Sequence, residues 1–313
     1  MQTDQLDALV AIVDHGTFEA AARQLRLTPS AVSQRIKALE NRVGHIVVRR
    51  TVPCQATAAG EVLLRVARQA QLLEADAMAA LRQGTSAPTD LPLAVNADSL
   101  ATWFRPVLST VAEWEDTALL LHIEDEGHSA RLLRSGDVLG AITADPVAVH
   151  GCTIEPLGSM RYLPASTPRL RDRFSKGRSV DWSSMPLVRF NGKDDLQHRL
   201  LTEYGLHISP PTHQVPSSEG FLAAVHAGLG WGMVPMDQLG DALQTGRLVR
   251  LSAQGHVDVP LHWQVWRLRS ERIERVSEAV RVAARAGLRP PVHRRPGAGA
   301  GRTIGTTRDH RGT

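Results

Sequence analysis

The chain is poor in several residue types and patterns, and each scarcity removes a class of function. Its 313 residues include two cysteines, Cys54 and Cys152, far apart in sequence. Neither has a His or Cys neighbour at metal-ligand spacing, so both are expected as reduced thiols in a reducing compartment. No apolar run approaches the ~18 residues that cross a bilayer. The start, Met1-Gln2-Thr3-Asp4, has no basic segment or apolar signal stretch, so a cytoplasmic protein without a membrane partner is expected. Catalytic signatures are scarce as well. The thirteen histidines form no HExxH and no paired spacing with cysteine, which speaks against a metal centre. There is no G-x-S-x-G elbow and no convincing acid/base pair. Gly228-Leu229-Gly230-Trp231-Gly232 superficially suggests a nucleotide loop. It follows a helical stretch and leads into a strand, the reverse of the phosphate-binding order. No catalytic residue, metal or cofactor is therefore assigned, and an enzyme is the weaker class.

Charge is plentiful but uneven. The net charge is +4 and the pI about 9.6. Six arginines after Leu288 (289, 294, 295, 302, 308, 311) face one acid, Asp309, so the tail accounts for the whole excess. The informative charge is local. Between Ala21 and Pro53, Arg23, Arg26, Arg35, Lys37, Arg42, Arg49 and Arg50 are opposed by Glu40 alone, the footprint expected opposite a phosphate backbone. Three lysines against thirty-three arginines support no functional inference.

The same region has the pattern of a DNA reader. Leu6, Leu9, Val10 and Val13 mark one buried helical face, ended by His15-Gly16. Thr17 is placed to cap a second helix, Phe18 to Leu25. Thr28 reads as the N-cap of a third helix, with Pro29 at the first helical position, where a missing N–H costs nothing. Val32, Ile36, Leu39 and Val43 share its apolar face. Ser30, Ser33, Gln34 and Lys37 lie opposite, bordered by Arg35. Ser and Gln can pair with base edges, and Arg or Lys with guanine or phosphate. Ile46 to Cys54 reads as a small hairpin placing Arg49 and Arg50 for backbone or minor-groove contact.

A fourth helix is expected from about Ala58 to Gln83, capped by Thr57. Val62, Val66, Ala70, Leu73, Ala77 and Ala80 recur near heptad spacing, a dimerisation seam. Gly84 to Pro92 is a hinge by composition. Beyond it strands and helices alternate: Leu93–Asn96, a helix near Ser99–Ala112, strands Leu119–Glu124 and Val138–Ile142 about a helix His128–Ser135. The alternation runs on to Leu261–Trp266 and a last helix Ile273–Ala286. This is an α/β pattern with a parallel sheet and covering helices.

These segments resemble a known family. Phe18-Glu19-Ala20-Ala21-Ala22-Arg23-Gln24-Leu25, Thr28-Pro29-Ser30-Ala31-Val32-Ser33-Gln34-Arg35, Val43-Gly44 and Thr57-Ala58-Ala59-Gly60 look like LysR-type transcriptional regulators. Val47-Val48 departs from the Leu-Phe more usual before the wing, a change of packing and not of contact chemistry. The stretches Val95 to Phe104, Ile123 to His128, Arg134 to Ala141 and Ser218 to Phe221 resemble the lysine/arginine-responsive LysG/ArgP branch. The resemblance implies a winged helix-turn-helix at 1–57, a linker and dimerisation helix at 58–84, a hinge at 85–92 and an effector domain at 93–288. That domain would have two α/β lobes like a periplasmic binding protein, about 93–161 with 267–288, and 162–266. A disordered basic tail would occupy 289–313. Thr28, Pro29, Ser30, Ser33, Gln34, Arg35, Lys37, Arg49 and Arg50 are the expected DNA contacts. Expected partners are an operator in double-stranded DNA, a second copy of the chain (a dimer, further a tetramer), RNA polymerase, and lysine or arginine as effector. The implied role is control, by activation, of a basic amino-acid exporter gene.

For the effector, Asn96 to Ser99 follows a strand and opens a helix, so backbone N–H groups and Ser99 would hold a carboxylate. Leu100 and Thr102 complete that segment. Glu124, Asp125 and Glu126 end the next strand, where ligands of open α/β sheets bind, and one or two of them would receive the cationic end. Ser218, Glu219 and Phe221 would close the cleft from the second lobe. Trp103 is left open between packing and binding.

Overall fold

The computed structural model describes residues 2–81, 88–123, 126–177 and 179–290. Its first unit is built from α1 (Thr3–His15), α2 (Phe18–Leu25), α3 (Pro29–Val43) and a hairpin of β1 (Val48–Arg49) and β2 (Gln55–Ala56). The local chemistry explains the boundaries. Thr17 Oγ1 accepts from Ala20 N at 3.1 Å and Thr28 Oγ1 from Ala31 N at 3.2 Å, each satisfying an orphan helical donor. Gly16 and Gly44 end α1 and α3 in the left-handed region. Leu9, Ile12, Val32, Ile36, Leu39 and Val47 form one core, each contributing on the order of 1.5–3 kcal/mol by burial. Val47 and Val48 both lie in it, consistent with a purely packing role.

The next element, α4 (Ala58–Leu81), starts against this core, where a side chain at Gly60 would collide with Val47 O. Its expected last residues, 82–84, and the first of the hinge, 85–87, lie outside the described residues. The remainder of the hinge is corrected. Thr89–Pro92 already belong to β3 (Thr89–Val95), paired in parallel with β4 (Thr117–Ile123). The helix expected over Ser99–Ala112 is broken into α5 (Ala97–Ala101) and α6 (Arg105–Ala112). Pro106 suits the first turn of a new helix and not the middle of an old one. α7 (Glu126–Ser135) and β5 (Gly140–Thr143) follow.

The chain then crosses through β6 (Cys152–Ser166), a strand with no counterpart in the sequence reading. α8 (Pro168–Arg173), β7 (Ser175–Lys176), β8 (Ser179–Val180), β9 (Leu187–Arg189), α9 (Leu196–Glu203), β10 (Thr212–Gln214), α10 (Ser218–His226), β11 (Gly232–Pro235), α11 (Met236–Gln244) and β12 (Val249–Arg250) build the second lobe. β13 (Val257–Trp266) returns, and α12 (Glu271–Gly287) closes on the first lobe.

The main sheet is mixed, not parallel. Its order is β11-β6-β13-β5-β3-β4, with β12 also on β6. Only β3–β4 and β3–β5 pair in parallel there; every pair involving β6 or β13 is antiparallel. The two crossings cause this, because each runs alongside the other through both lobes. Their register shifts between Leu261 and His262. His262–Val265 pair with β5 of the first lobe, so the second crossing lies within β13 and not after Trp266. Arg289, expected in the disordered tail, instead makes an antiparallel bridge with Ser159. Residues 291–313 lie outside the described residues.

Candidate functional site

Two sites emerge, one at each end of the chain. On α3, Val32, Ile36 and Leu39 are buried while Thr28, Pro29, Ser30, Gln34 and Lys37 are exposed and Ser33 is half-buried. The polar face is therefore presented outward by the packing of the apolar one. Glu40, the one acid in the basic stretch, is occupied: its carboxylate accepts from Val47 N at 2.9 Å. Arg49 and Arg50 are exposed on the hairpin. The Arg50 guanidinium lies 4.9 Å from the Phe18 ring centroid, which holds the wing beside α2. Arg35 departs from the expectation of a free contact residue. Its guanidinium reaches back to Asp4, 3.4 Å from Oδ2, so it also anchors α3 to α1.

The second site is a cavity of about 550 Å³ between the lobes. Asn96, Asp98 and Ile123 line it from the first lobe, Tyr162 and Val259 from the crossing strands, and Asp194, Asp195 and Phe221 are among those from the second. Asn96 Oδ1 caps α5 by accepting from Ser99 N at 2.7 Å. Its Nδ2 is buried with no hydrogen-bond partner. Asp98 sits where the lobes meet: Oδ1 accepts from Ser218 Oγ at 2.5 Å and Oδ2 from Tyr162 OH at 2.9 Å. Burial pushes its carboxyl pKa up, the Ser218 and Tyr162 hydroxyls pull it back, and the nearby Asp194 charge raises it again. Asp194 is itself a loop organiser, accepting from Phe190 N at 2.9 Å and Leu196 N at 3.2 Å.

Several expected effector residues are placed elsewhere. Ser99 is fully buried; its amide serves the Asn96 cap and its hydroxyl accepts from Trp103 Nε1 at 2.9 Å. That bond also decides Trp103, which packs. Leu100 packs against the core, and Thr102 donates to Asp98 O at 2.6 Å; neither lines the cavity. Glu219 is exposed on the first turn of α10, outside the lining. Glu124 and Asp125 lie outside the described residues, as does the side chain of Glu126. Asn96 and Phe221 do line the cavity, and Ser218 reaches it through Asp98. Asp98, Tyr162 and Asp194 were missed. The signal for Asp98 was present, since it lies on the same strand-to-helix turn as Asn96. Tyr162 and Asp194 come from other strands and loops and have no local signature. Among the described residues no His/Cys/Asp/Glu group could hold a metal ion.

A capped two-faced helix with a basic wing, joined by a long helix to a two-lobed sensor with an interlobe cleft, defines a ligand-responsive regulatory protein. The family is shown by comparison. Residues 3–61 match the bacterial regulatory helix-turn-helix protein, lysR family, and residues 87–288 the LysR substrate binding domain. The chain belongs to the LysR family of transcriptional regulators. It is 46% identical over 295 residues to the lysine export transcriptional regulatory protein LysG of Corynebacterium glutamicum, covering 93% of this chain and all of that one. Full-length LysG of that organism with bound effector Arg superposes with a TM-score of 0.80 at 45% identity, over 93% of this chain and 100% of the other. ArgP of Mycobacterium tuberculosis gives a TM-score of 0.83 at 44% identity, over 91% and 98%.

Proposed function

We propose that this regulator binds operator DNA through α3 and the wing, and that lysine or arginine in the interlobe cleft sets that binding. The observation carrying the effector reading is Asp98. It is a carboxylate sunk between the lobes, held by the Tyr162 hydroxyl of the crossing strand β6 and the Ser218 hydroxyl of α10, and with no cationic partner among the described residues. A buried charge of this kind is costly until a counter-charge arrives, and a ligand ammonium or guanidinium supplies it. The unpartnered Asn96 Nδ2 in the same wall is a donor suited to the ligand carboxylate. On the opposite wall Asp194 and Asp195 are matched in number by Lys193 and Arg199, so the formal excess of negative charge in the lining is one carboxylate. The Arg-bound LysG relative supports the same ligand class. Glu124, Asp125 and Glu126 follow Ile123 at the cleft edge and remain candidates for the cationic end.

The chain acts as a homodimer, assembling further to a tetramer, in the cytoplasm at the nucleoid. Val62, Val66 and Leu73 on α4 are 48%, 38% and 40% exposed, whereas Leu64, Ala67 and Leu72 on the other face are buried. An apolar seam left open at near-heptad spacing is complementary to a second copy of itself. Two recognition helices then reach major grooves about 34 Å apart or a multiple of it, matching a dyad-symmetric operator. RNA polymerase is the downstream partner, and an exporter gene for basic amino acids, activated, is the target. No described helix is long and apolar enough to cross a membrane.

Isothermal titration with arginine, lysine and the uncharged analogue citrulline tests the effector. Arginine or lysine binds and citrulline does not. Binding of neutral amino acids in preference to both cations would overturn the assignment.

A further inference from the structure

We infer that Arg68 is a positioning residue that clips the DNA-binding domain to the effector domain, with α7 as the lever that carries the state of the cleft to the clip. The inference rests on the effector reading above. Arg68 lies on α4 and belongs to neither domain, yet its guanidinium joins both. One amino group pairs with Asp14, next to the end of α1, and the other with Asp137, just past α7. Its side chain is only 16% exposed. Burial works against its charge, but the two carboxylates more than offset this and hold its pKa above the ordinary arginine value. Substituting one partner therefore leaves a partly buried charge short of a counter-charge, the arrangement in which a bridge matters most to its surroundings.

The far side of the clip is stiff. α7 is about 15 Å long at 1.5 Å per residue. It packs on β5 and on β3, the strand that runs into the cavity-lining Asn96, and ends at Ser135. Its last turn is pressed onto α4. Arg65 Nη1 donates to Arg134 O at 3.2 Å, and a side chain at Gly136 would stand 2.7 Å from Arg65 Cα. The Arg65 guanidinium also covers the Trp266 ring at 5.0 Å. Because α7 lies against the strand that leads into the cleft and its end packs on α4, a shift of α7 as a rigid body displaces Asp137, and Arg68 passes that displacement to Asp14. A packed contact of this kind has discrete arrangements, so a small shift at the cleft is not simply absorbed.

The test uses the full-length protein and a duplex operator selected from random sequence. In the wild type, arginine changes operator affinity by a factor typical of allosteric coupling, about 5- to 150-fold. Arg68→Ala keeps calorimetric arginine binding, but the arginine-dependent factor falls toward one. Arg68→Lys, which keeps the charge, restores part of it. Asp14→Asn is the second variant, placed far from the cleft, and it uncouples the sites even if Arg68→Ala fails to fold. Full coupling in both Arg68→Ala and Asp14→Asn overturns the inference. If the wild type shows no response to arginine, the effector reading fails, and amide hydrogen exchange without ligand decides the clip. Arg68→Ala then speeds exchange both in α1 and around Gly136, whereas Asp14→Asn speeds it in α1 alone. Unchanged exchange at both places in Arg68→Ala overturns it.

Discussion

Asp98→Asn separates recognition of a cation from mere occupancy of the cleft. The substitution keeps the size of the side chain and removes its charge. In the wild type, Asp98 offers a charged acceptor in a desolvated wall, already oriented by Ser218 and Tyr162. A hydrogen bond to a charged group is worth about 1.5–3 kcal/mol, so the arginine Kd should weaken roughly ten- to 150-fold, at tenfold per 1.4 kcal/mol. The pH profile supplies the sharper signature. In the free protein, burial raises the Asp98 pKa above its ordinary value, and a bound cation lowers it. Arginine binding therefore releases a proton around that raised pKa, and wild-type affinity falls as pH drops through it. Above it the profile is flat. Titrations carried from neutral pH into the acid range should show this component lost in Asp98→Asn. Stability moves in the opposite sense. A carboxyl whose folded pKa exceeds its unfolded one costs stability when charged, and the cost is relieved as pH falls through the folded pKa. Asp98→Asn should thus raise the melting temperature of the free protein at neutral pH while reducing the rise caused by arginine. Wild-type affinity and an unaltered pH profile in this variant would refute the placement of the cation at Asp98.

Other expectations follow from the N-terminal half. Val66→Glu on the open face of α4 should give monomers in sedimentation with the helical content retained, because Val66 is 38% exposed in the single chain; an unchanged dimer would show that the seam lies elsewhere. Ser33→Ala should weaken specific operator binding by ~1–3 kcal/mol and relax sequence preference, whereas Arg50→Ala should weaken binding to all sequences and reduce the salt slope by about one. Gel shifts with the opposite pattern would reverse the roles. Gly136→Ala should destabilise by about 1–3 kcal/mol in denaturant unfolding. Its φ is +77° and the added methyl meets the α4 backbone at 2.7 Å, so a neutral result contradicts the tight contact between α7 and α4.

The sequence and the structure contribute unequally across the chain. In the N-terminal unit the determinants are local, so pattern alone located them. Thr17 and Thr28 cap the helices they precede, Gly16 and Gly44 stop helices, and the apolar spacing of Val32, Ile36 and Leu39 decides which face of α3 is left outward. Arg35 is the exception, because its link to Asp4 joins residues far apart in sequence and no spacing within α3 reveals it.

In the sensor, by contrast, the alternation of strands and helices was legible but its assembly was not. A strand reads the same from its own residues whether its neighbour is parallel or antiparallel. Only the crossing of β6 and β13 through both lobes makes the sheet mixed. The cleft shows the same limit at the scale of one turn. Sequence placed a polar group at the end of β3 and acids after β4, which follows from where open sheets bind ligands. Within that turn the local pattern does not separate Ser99 from Asp98. The choice depended on Trp103 claiming the Ser99 hydroxyl and on Tyr162 and Ser218 meeting Asp98 from across the cleft. Local sequence thus determined the reading head, its caps and an alternating α/β sensor, while its two lobes were implied by the family resemblance. Tertiary structure alone decided which carboxylate the lobes share and that Arg68 touches both domains, because each depends on contacts between residues distant along the chain.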